Sequence, residues 1–208
     1  MMLLPVRGLY AITDHLLHAT TEDLAGAVES AIRGGAVLIQ YRDKGTEHGA
    51  RRKEAEILLE ICRSHKIPLI INDDVELAGA IQADGVHVGK YDRSLTAARD
   101  YLGKKCIIGV SCYNSIERAE YAQKEGADYV AFGRFYSSKT KPEAVQVTVD
   151  QLREFRARIH LPIAAIGGIT SENGASLVEA GADLLAVIHG VFSAPDVEIV
   201  ARQYVGLF

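Results

Sequence analysis

Short apolar runs alternate with longer amphipathic stretches along the whole chain. The runs Leu9–Thr13, Val37–Arg42, Leu69–Asn72, Val86–Val88, Ile107–Ser111, Tyr129–Gly133, Ile163–Gly167 and Leu184–Ile188 are apolar at most positions. Such near-continuous runs predict strands of a parallel sheet whose faces are covered by helices. Between them, Thr21–Arg33, Ala50–His65, Ser115–Lys124, Val149–Ile159 and Glu172–Ala180 read as helices. In the first of these, Leu24, Ala27, Val28, Ala31 and Ile32 recur at steps of three and four, which places them on one helix face.

One local pattern returns just before several strands: Gly34-Gly35-Ala36, Ala83-Asp84-Gly85, Gly126-Ala127-Asp128 and Gly181-Ala182-Asp183. The glycine suits the left-handed residue that ends a helix, and the chain then turns into the next strand. About eight such strand–helix units fit the chain, the number that closes a barrel. The expected architecture is therefore a (β/α)8 barrel forming one domain over residues 1–208. An open doubly wound sheet is the competing arrangement, but no Gly-x-Gly-x-x-Gly follows the first strand. The connection from Gly133 to Val149 is long and without periodicity. After a sixth strand it would lie over the C-terminal face of the barrel and act as a lid.

Composition narrows the partners more than the fold. The 208 residues are 48% apolar and 24% charged, with a formal net charge of -4, which argues against nucleic acid or an anionic membrane. The opening Met1–Val6 is too short for a signal segment, and no run is long enough to span a bilayer. Cys62, Cys106 and Cys112 are widely spaced and include no Cys-x-x-Cys, so they read as small core residues in a reducing cytoplasm.

Barrel active sites form at the C-terminal strand ends. The second run ends in Gln40-Tyr41-Arg42-Asp43-Lys44, where the two-residue strand period can turn Gln40, Arg42 and Lys44 to one side. That set suits a phosphorylated ligand with a hydrogen-bonding ring, or else a solvated strand end whose cations pair with Asp43 or Glu47. Asp73 and Asp92 follow adjacent strands and can converge on a cation, though Asp73 or Asp74 can equally cap a helix. Gly167-Gly168-Ile169 and Ile188-His189-Gly190 follow the last two runs, where barrels bind phosphate through backbone N–H groups. His87 reads as a hydrogen-bonded interior residue, and Ser111 lacks the setting of a nucleophilic triad.

Several motifs together resemble the thiamine phosphate synthases: Leu9-Tyr10-Ala11-Ile12-Thr13-Asp14, Gln40-Tyr41-Arg42-Asp43-Lys44, Ile71-Asn72-Asp73, Gly85-Val86-His87-Val88-Gly89, Gly109-Val110-Ser111 and Ala165-Ile166-Gly167-Gly168-Ile169. The resemblance covers nearly the whole chain. It implies a transferase that joins 4-amino-5-hydroxymethyl-2-methylpyrimidine diphosphate to 4-methyl-5-(2-phosphoethyl)thiazole, plain or carboxylated, and releases diphosphate. It further implies that Gln40, Tyr41, Arg42, Asp43, Lys44, Asn72, Ser111 and Lys141 hold the pyrimidine diphosphate, with Arg42, Lys44 and Lys141 acting on the leaving group. Asp73 and Asp92 would bind Mg²⁺. Ser138, Lys139, Thr140, Gly168, Ile188 and His189 would line the thiazole phosphate site. The implied partners are these small molecules, with assembly into a homo-oligomer left open.

Three positions depart from the family's commonest pattern: Lys90 before the second metal aspartate, Arg134 at the opening of the lid, and His189 after the eighth strand. A thiazole tautomerase on the same barrel is the nearest rival, but it has no need of Asp73, Asp92, Arg42, Lys44 and Lys141 together. A silent phosphate-binding regulator is the rival from another class.

Overall fold

Strands and helices alternate in the order that the polarity pattern predicts. The computed structural model describes residues 3–5, 7–45, 48–90, 92–137 and 145–208. The strands are β1 (Gly8–Ile12), β2 (Leu38–Tyr41), β3 (Leu69–Asn72), β4 (Gly85–Val88), β5 (Ile107–Tyr113), β6 (Tyr129–Gly133), β7 (Ile163–Ile166) and β8 (Leu184–Val187). The helices are α1 (Thr21–Arg33), α2 (His48–Ser64), α3 (Val75–Ile81), α4 (Leu95–Leu102), α5 (Ile116–Lys124), α6 (Val149–Arg158), α7 (Ala175–Glu179), α8 (His189–Phe192) and α9 (Val197–Val205). Each strand pairs in parallel with its sequence neighbours, and β1 also pairs with β8, so the sheet is a closed barrel.

Alternation along the strands builds two cores. Tyr10, Ile12, Leu38, Ile70, Ile107, Tyr129, Leu184 and Ala186 point inward and fill the barrel. Their neighbours, among them Leu9, Ala11, Ile39, Tyr41, Ile71 and Leu185, point outward to a second layer shared with the helices. This is why the runs carry little polar alternation: below the cavity both faces of the strands are buried. Gly109 on β5 has a specific part here, because a side chain there would collide with the ring of Tyr129.

Local chemistry sets the helix ends. Thr20, Asp74, Ser94, Ser115, Thr148 and Asp196 each accept a hydrogen bond from a first-turn N–H as N-caps. At the other end, Gly126 and Gly181 take φ of +84° and +106°, the left-handed region expected of the recurring turn. The aspartates of that turn have a second task. Asp84, Asp128 and Asp183 accept the backbone N–H groups of Leu69, Ile108 and Ile163 at 3.1, 2.7 and 2.8 Å. They brace neighbouring strands at the base of the barrel. Arg99 pairs with Asp128 at 2.7 Å and Arg156 with Asp183 at 2.9 Å.

Among the described residues, no helix is long and apolar enough to cross a membrane. Cys62 and Cys112 are buried, Cys106 is half-buried, and all three are free thiols.

Candidate active site

The C-terminal strand ends surround a cavity of about 520 Å³. Gln40, Arg42, Asn72 and Ser111, from the ends of β2, β3 and β5, line one side of it. Gly167, Gly168, Ile188, His189 and Gly190, after β7 and β8, line the other. The volume lies within the range of small-molecule sites.

Arg42 owes its place to β1. Its guanidinium donates to the buried Asp14 carboxylate at 3.0 Å, and its backbone N–H donates to Thr13 Oγ1 at 2.9 Å. A charge-assisted bond to a buried acceptor keeps a long side chain aimed at the cavity. Lys44 is half-exposed, with its ammonium on Asp73.

The strand period also separates neighbouring positions of this motif. Tyr41 and Asp43, expected to contact the pyrimidine diphosphate, do not line the cavity, and neither do Lys44, Asp73 and Asp92. Tyr41 faces α2, where its hydroxyl donates to Glu54 at 2.7 Å, and Asp43 accepts the Gly45 N–H of its own loop at 2.6 Å. Burial, and then the neighbouring Glu54, raise the Tyr41 phenol far above its ordinary range. Once Gln40 faces the barrel interior, Tyr41 has to face the helix layer.

After β3, two adjacent aspartates separate. Asp74 caps α3 through the Leu77 N–H at 2.9 Å. Asp73 takes φ of +63°, an uncommon conformation for a residue with a Cβ, and turns back toward the end of β3. There it accepts from Asn72 Nδ2 at 2.7 Å and from Lys44. Asp92 reaches the same place from the turn after β4, held by the Gly89 N–H at 2.7 Å.

The two carboxyls lie within hydrogen-bonding reach, and each shifts the other. Burial opposes ionisation of Asp73, but the bonds from Lys44 and Asp92 outweigh it and hold this carboxyl below its usual range. Burial and the adjacent Asp73 push Asp92 up. Two carboxyls this close are a donor set whose repulsion a divalent cation relieves, and a pair plus substrate phosphate is a usual Mg²⁺ arrangement. The residues fit the expected ion. Among the described residues, no group of three or more His, Cys, Asp and Glu forms a closed metal cage.

On the far side, the backbone is exposed by glycine. Gly168 has φ of +65°, and a Cβ there would strike the Ser137 carbonyl. Asn173 Nδ2 holds its carbonyl at 3.1 Å. The base of the long connection is closed by Arg134 N–H to Val145 O at 3.0 Å and Val147 N–H to Arg134 O at 2.8 Å. Four expected site residues, Ser138, Lys139, Thr140 and Lys141, lie outside the described residues, as does most of the expected lid.

Sequence reading missed several contributors. Tyr10, Tyr113 and Arg134 all line the cavity. Tyr10 looks in sequence like one apolar strand position among many, and Arg134 stands out only as a departure from the family pattern at the opening of the lid. Arg118, on the first turn of α5, donates to Ser111 O at 2.7 Å and Gly89 O at 3.0 Å, tying the ends of β4 and β5 together.

Known proteins of similar sequence and shape converge. The model of the family described as thiamine monophosphate synthase matches residues 9–191. A thiamine-phosphate synthase of Nitrosococcus oceani is 54% identical over 200 residues, covering 96% of this chain and 91% of that protein. One from Methylococcus capsulatus is 49% identical over 204 residues, covering 98% and 90%. The structure of a thiamine phosphate pyrophosphorylase from Pyrococcus furiosus superposes with a TM-score of 0.87 at 32% identity, covering 96% of this chain and 94% of that one.

Proposed function

Because the chain belongs to the thiamine monophosphate synthase family, we propose that it joins 4-amino-5-hydroxymethyl-2-methylpyrimidine diphosphate to the phosphorylated thiazole, giving thiamine phosphate and diphosphate. One observation carries this reading beyond the family resemblance. Gln40, Arg42, Asn72 and Ser111 line one side of a cavity whose other side is walled by glycine backbone, and the Asp73–Asp92 pair adjoins it through the bond from Asn72 to Asp73. Two anionic substrates need two such sides.

In this reading Gln40 and Ser111 grip the pyrimidine ring, while Arg42, Lys44 and Asn72 take the diphosphate, with Lys141 reaching in from the long connection. Asp73 and Asp92 would hold Mg²⁺, which when bound spreads the negative charge that grows on the leaving diphosphate. Loss of diphosphate leaves a pyrimidinylmethyl cation, stabilised by resonance from the amino group, so the protein supplies no nucleophile. Arg42 and Lys44 act as fixed cations where charge develops. The N–H groups around Gly168, Ile188 and His189, with Ser138, Lys139 and Thr140, hold the thiazole phosphate. This places the thiazole nitrogen against the methylene carbon, and water is kept out while the C–N bond forms.

Diphosphate release from purified protein with both substrates, with and without Mg²⁺, tests this directly. Thiamine phosphate formation that needs Mg²⁺ and is lost in Asp92→Ala is the expected result. Binding of thiazole phosphate without any turnover in the native protein would overturn it.

A further inference from the structure

A continuous chain of hydrogen bonds crosses the barrel interior beneath the cavity. Gln40 Nε2 donates to the Tyr10 hydroxyl at 2.5 Å, and the hydroxyls of Tyr10 and Tyr129 are 2.7 Å apart. The Tyr129 hydroxyl is 2.9 Å from His87 Nδ1, and His87 Nε2 is 2.8 Å from Ser111 Oγ. The chain thus starts at one residue assigned to the pyrimidine and ends at another. Tyr10 and Tyr129 are 1% and 0% exposed, and burial raises both phenols far above their ordinary range, so each keeps its single proton.

Counting protons gives the chain a direction. Tyr10 accepts from Gln40, so its own proton goes to Tyr129. Tyr129 then has one proton left, which goes to His87 Nδ1. A neutral His87 that accepts at Nδ1 carries its proton on Nε2 and donates it to Ser111. Within the described residues two ends stay open: the Oε1 of Gln40, an acceptor, and the hydroxyl proton of Ser111, a donor.

We propose that Tyr10, Tyr129 and His87 are positioning residues which polarise this chain, so that the cavity presents an acceptor at Gln40 and a donor at Ser111. This rests on the synthase reading. It adds the reason the site selects an aminopyrimidine: the exocyclic amino group donates to Gln40, and a ring nitrogen accepts from Ser111. A 4-oxo analogue reverses that pattern, bringing a carbonyl against Gln40 Oε1 and leaving buried groups mispaired. Reversing the whole chain would require His87 to change tautomer and both phenols and the Gln40 amide to turn together. Selectivity therefore resides in residues of which Tyr129 does not line the cavity at all.

The test has two arms. The ¹⁵N shifts of His87 in the ligand-free protein report which ring nitrogen carries the proton. The Nε2–H form is expected in the native protein, with a mixture of tautomers in Tyr129→Phe; a native Nδ1–H form overturns the polarity. The second arm is the ratio of kcat/KM for the aminopyrimidine diphosphate to that for its 4-oxo analogue. It should fall at least tenfold in Tyr129→Phe and again in Tyr10→Phe, while KM for the thiazole phosphate holds. An unchanged ratio in both variants sinks the proposal. If the native protein makes no thiamine phosphate, the synthase reading fails, and the tautomer arm still decides whether the chain is polarised.

Discussion

Replacing Asp183 by alanine should destabilise the barrel without touching its chemistry. The carboxylate accepts the Ile163 N–H at 2.8 Å and pairs with Arg156 at 2.9 Å. Leaving a backbone N–H at a buried strand start without its acceptor costs about 1–3 kcal/mol. The ion pair is partly exposed, with side chains 29% and 28% accessible, so it adds at most about 1 kcal/mol. Arg156 also keeps its bonds to the carbonyls of Ile159 and Leu161, so it is not stranded. The sum is about 1–4 kcal/mol, or about 2–16 °C in Tm for a chain of this length. Asp183→Asn retains an acceptor for Ile163 and should lose only the ion-pair share. Thermal unfolding followed by circular dichroism, alongside kcat/KM for both substrates, separates the two contributions. If alanine costs no more than asparagine, the brace is not the backbone bond, and the reasoning fails. A changed KM for either substrate would show that the barrel base is coupled to the mouth.

Asp14→Asn, which weakens the partner of Arg42, should raise KM for the pyrimidine diphosphate by about 10–100-fold; an equal rise for the thiazole phosphate would show that Asp14 supports the fold rather than Arg42. Protons compete with Mg²⁺ for Asp73 and Asp92, so affinity should fall as pH drops through the raised Asp92 range and level off above it. Calorimetry in two buffers of different ionisation heat measures the released proton, and binding with no proton release at any acid pH contradicts this. Burial raises the Cys62 and Cys112 thiols to about 12 and Cys106 to about 11, so the native protein should resist disulfide reagents near neutral pH and react on unfolding. Fast labelling of all three thiols in the native state would refute the burial.

The strands were legible because both of their faces are buried, and the places where their limits moved have local causes. β2 stops at Tyr41 rather than Arg42 because the Arg42 N–H goes to the Thr13 side chain instead of the sheet ladder. β5 runs on to Tyr113, whose φ of +58° accompanies a register shift after Ser111. α7 begins at Ala175, not Glu172, since Thr170 and Asn173 exchange side-chain-to-backbone bonds at 2.9 and 3.3 Å and form a turn first. At the site, charged and amide groups at strand ends were visible because polar residues there interrupt apolar runs. Tyr41 and Asp43 were drawn in by their motif, against the strand period that turns them outward. Tyr10 and Tyr129 went unread because a tyrosine inside an apolar run looks like packing until its hydroxyl is located. The repeated aspartates of the turns were visible as a pattern, but their task depends on which strand lies alongside, and that is settled only by barrel closure.

Those three aspartates give the molecule a division of labour between its two ends. Registration of neighbouring strands is written into short carboxylate-to-amide contacts at the base, while substrate chemistry is written into loops at the top. Substitutions in the upper loops can therefore accumulate without loosening the ring that carries them. A scaffold partitioned in this way is open to new catalytic loops by grafting, and its lower turns are where stabilising changes can be made at no cost to turnover.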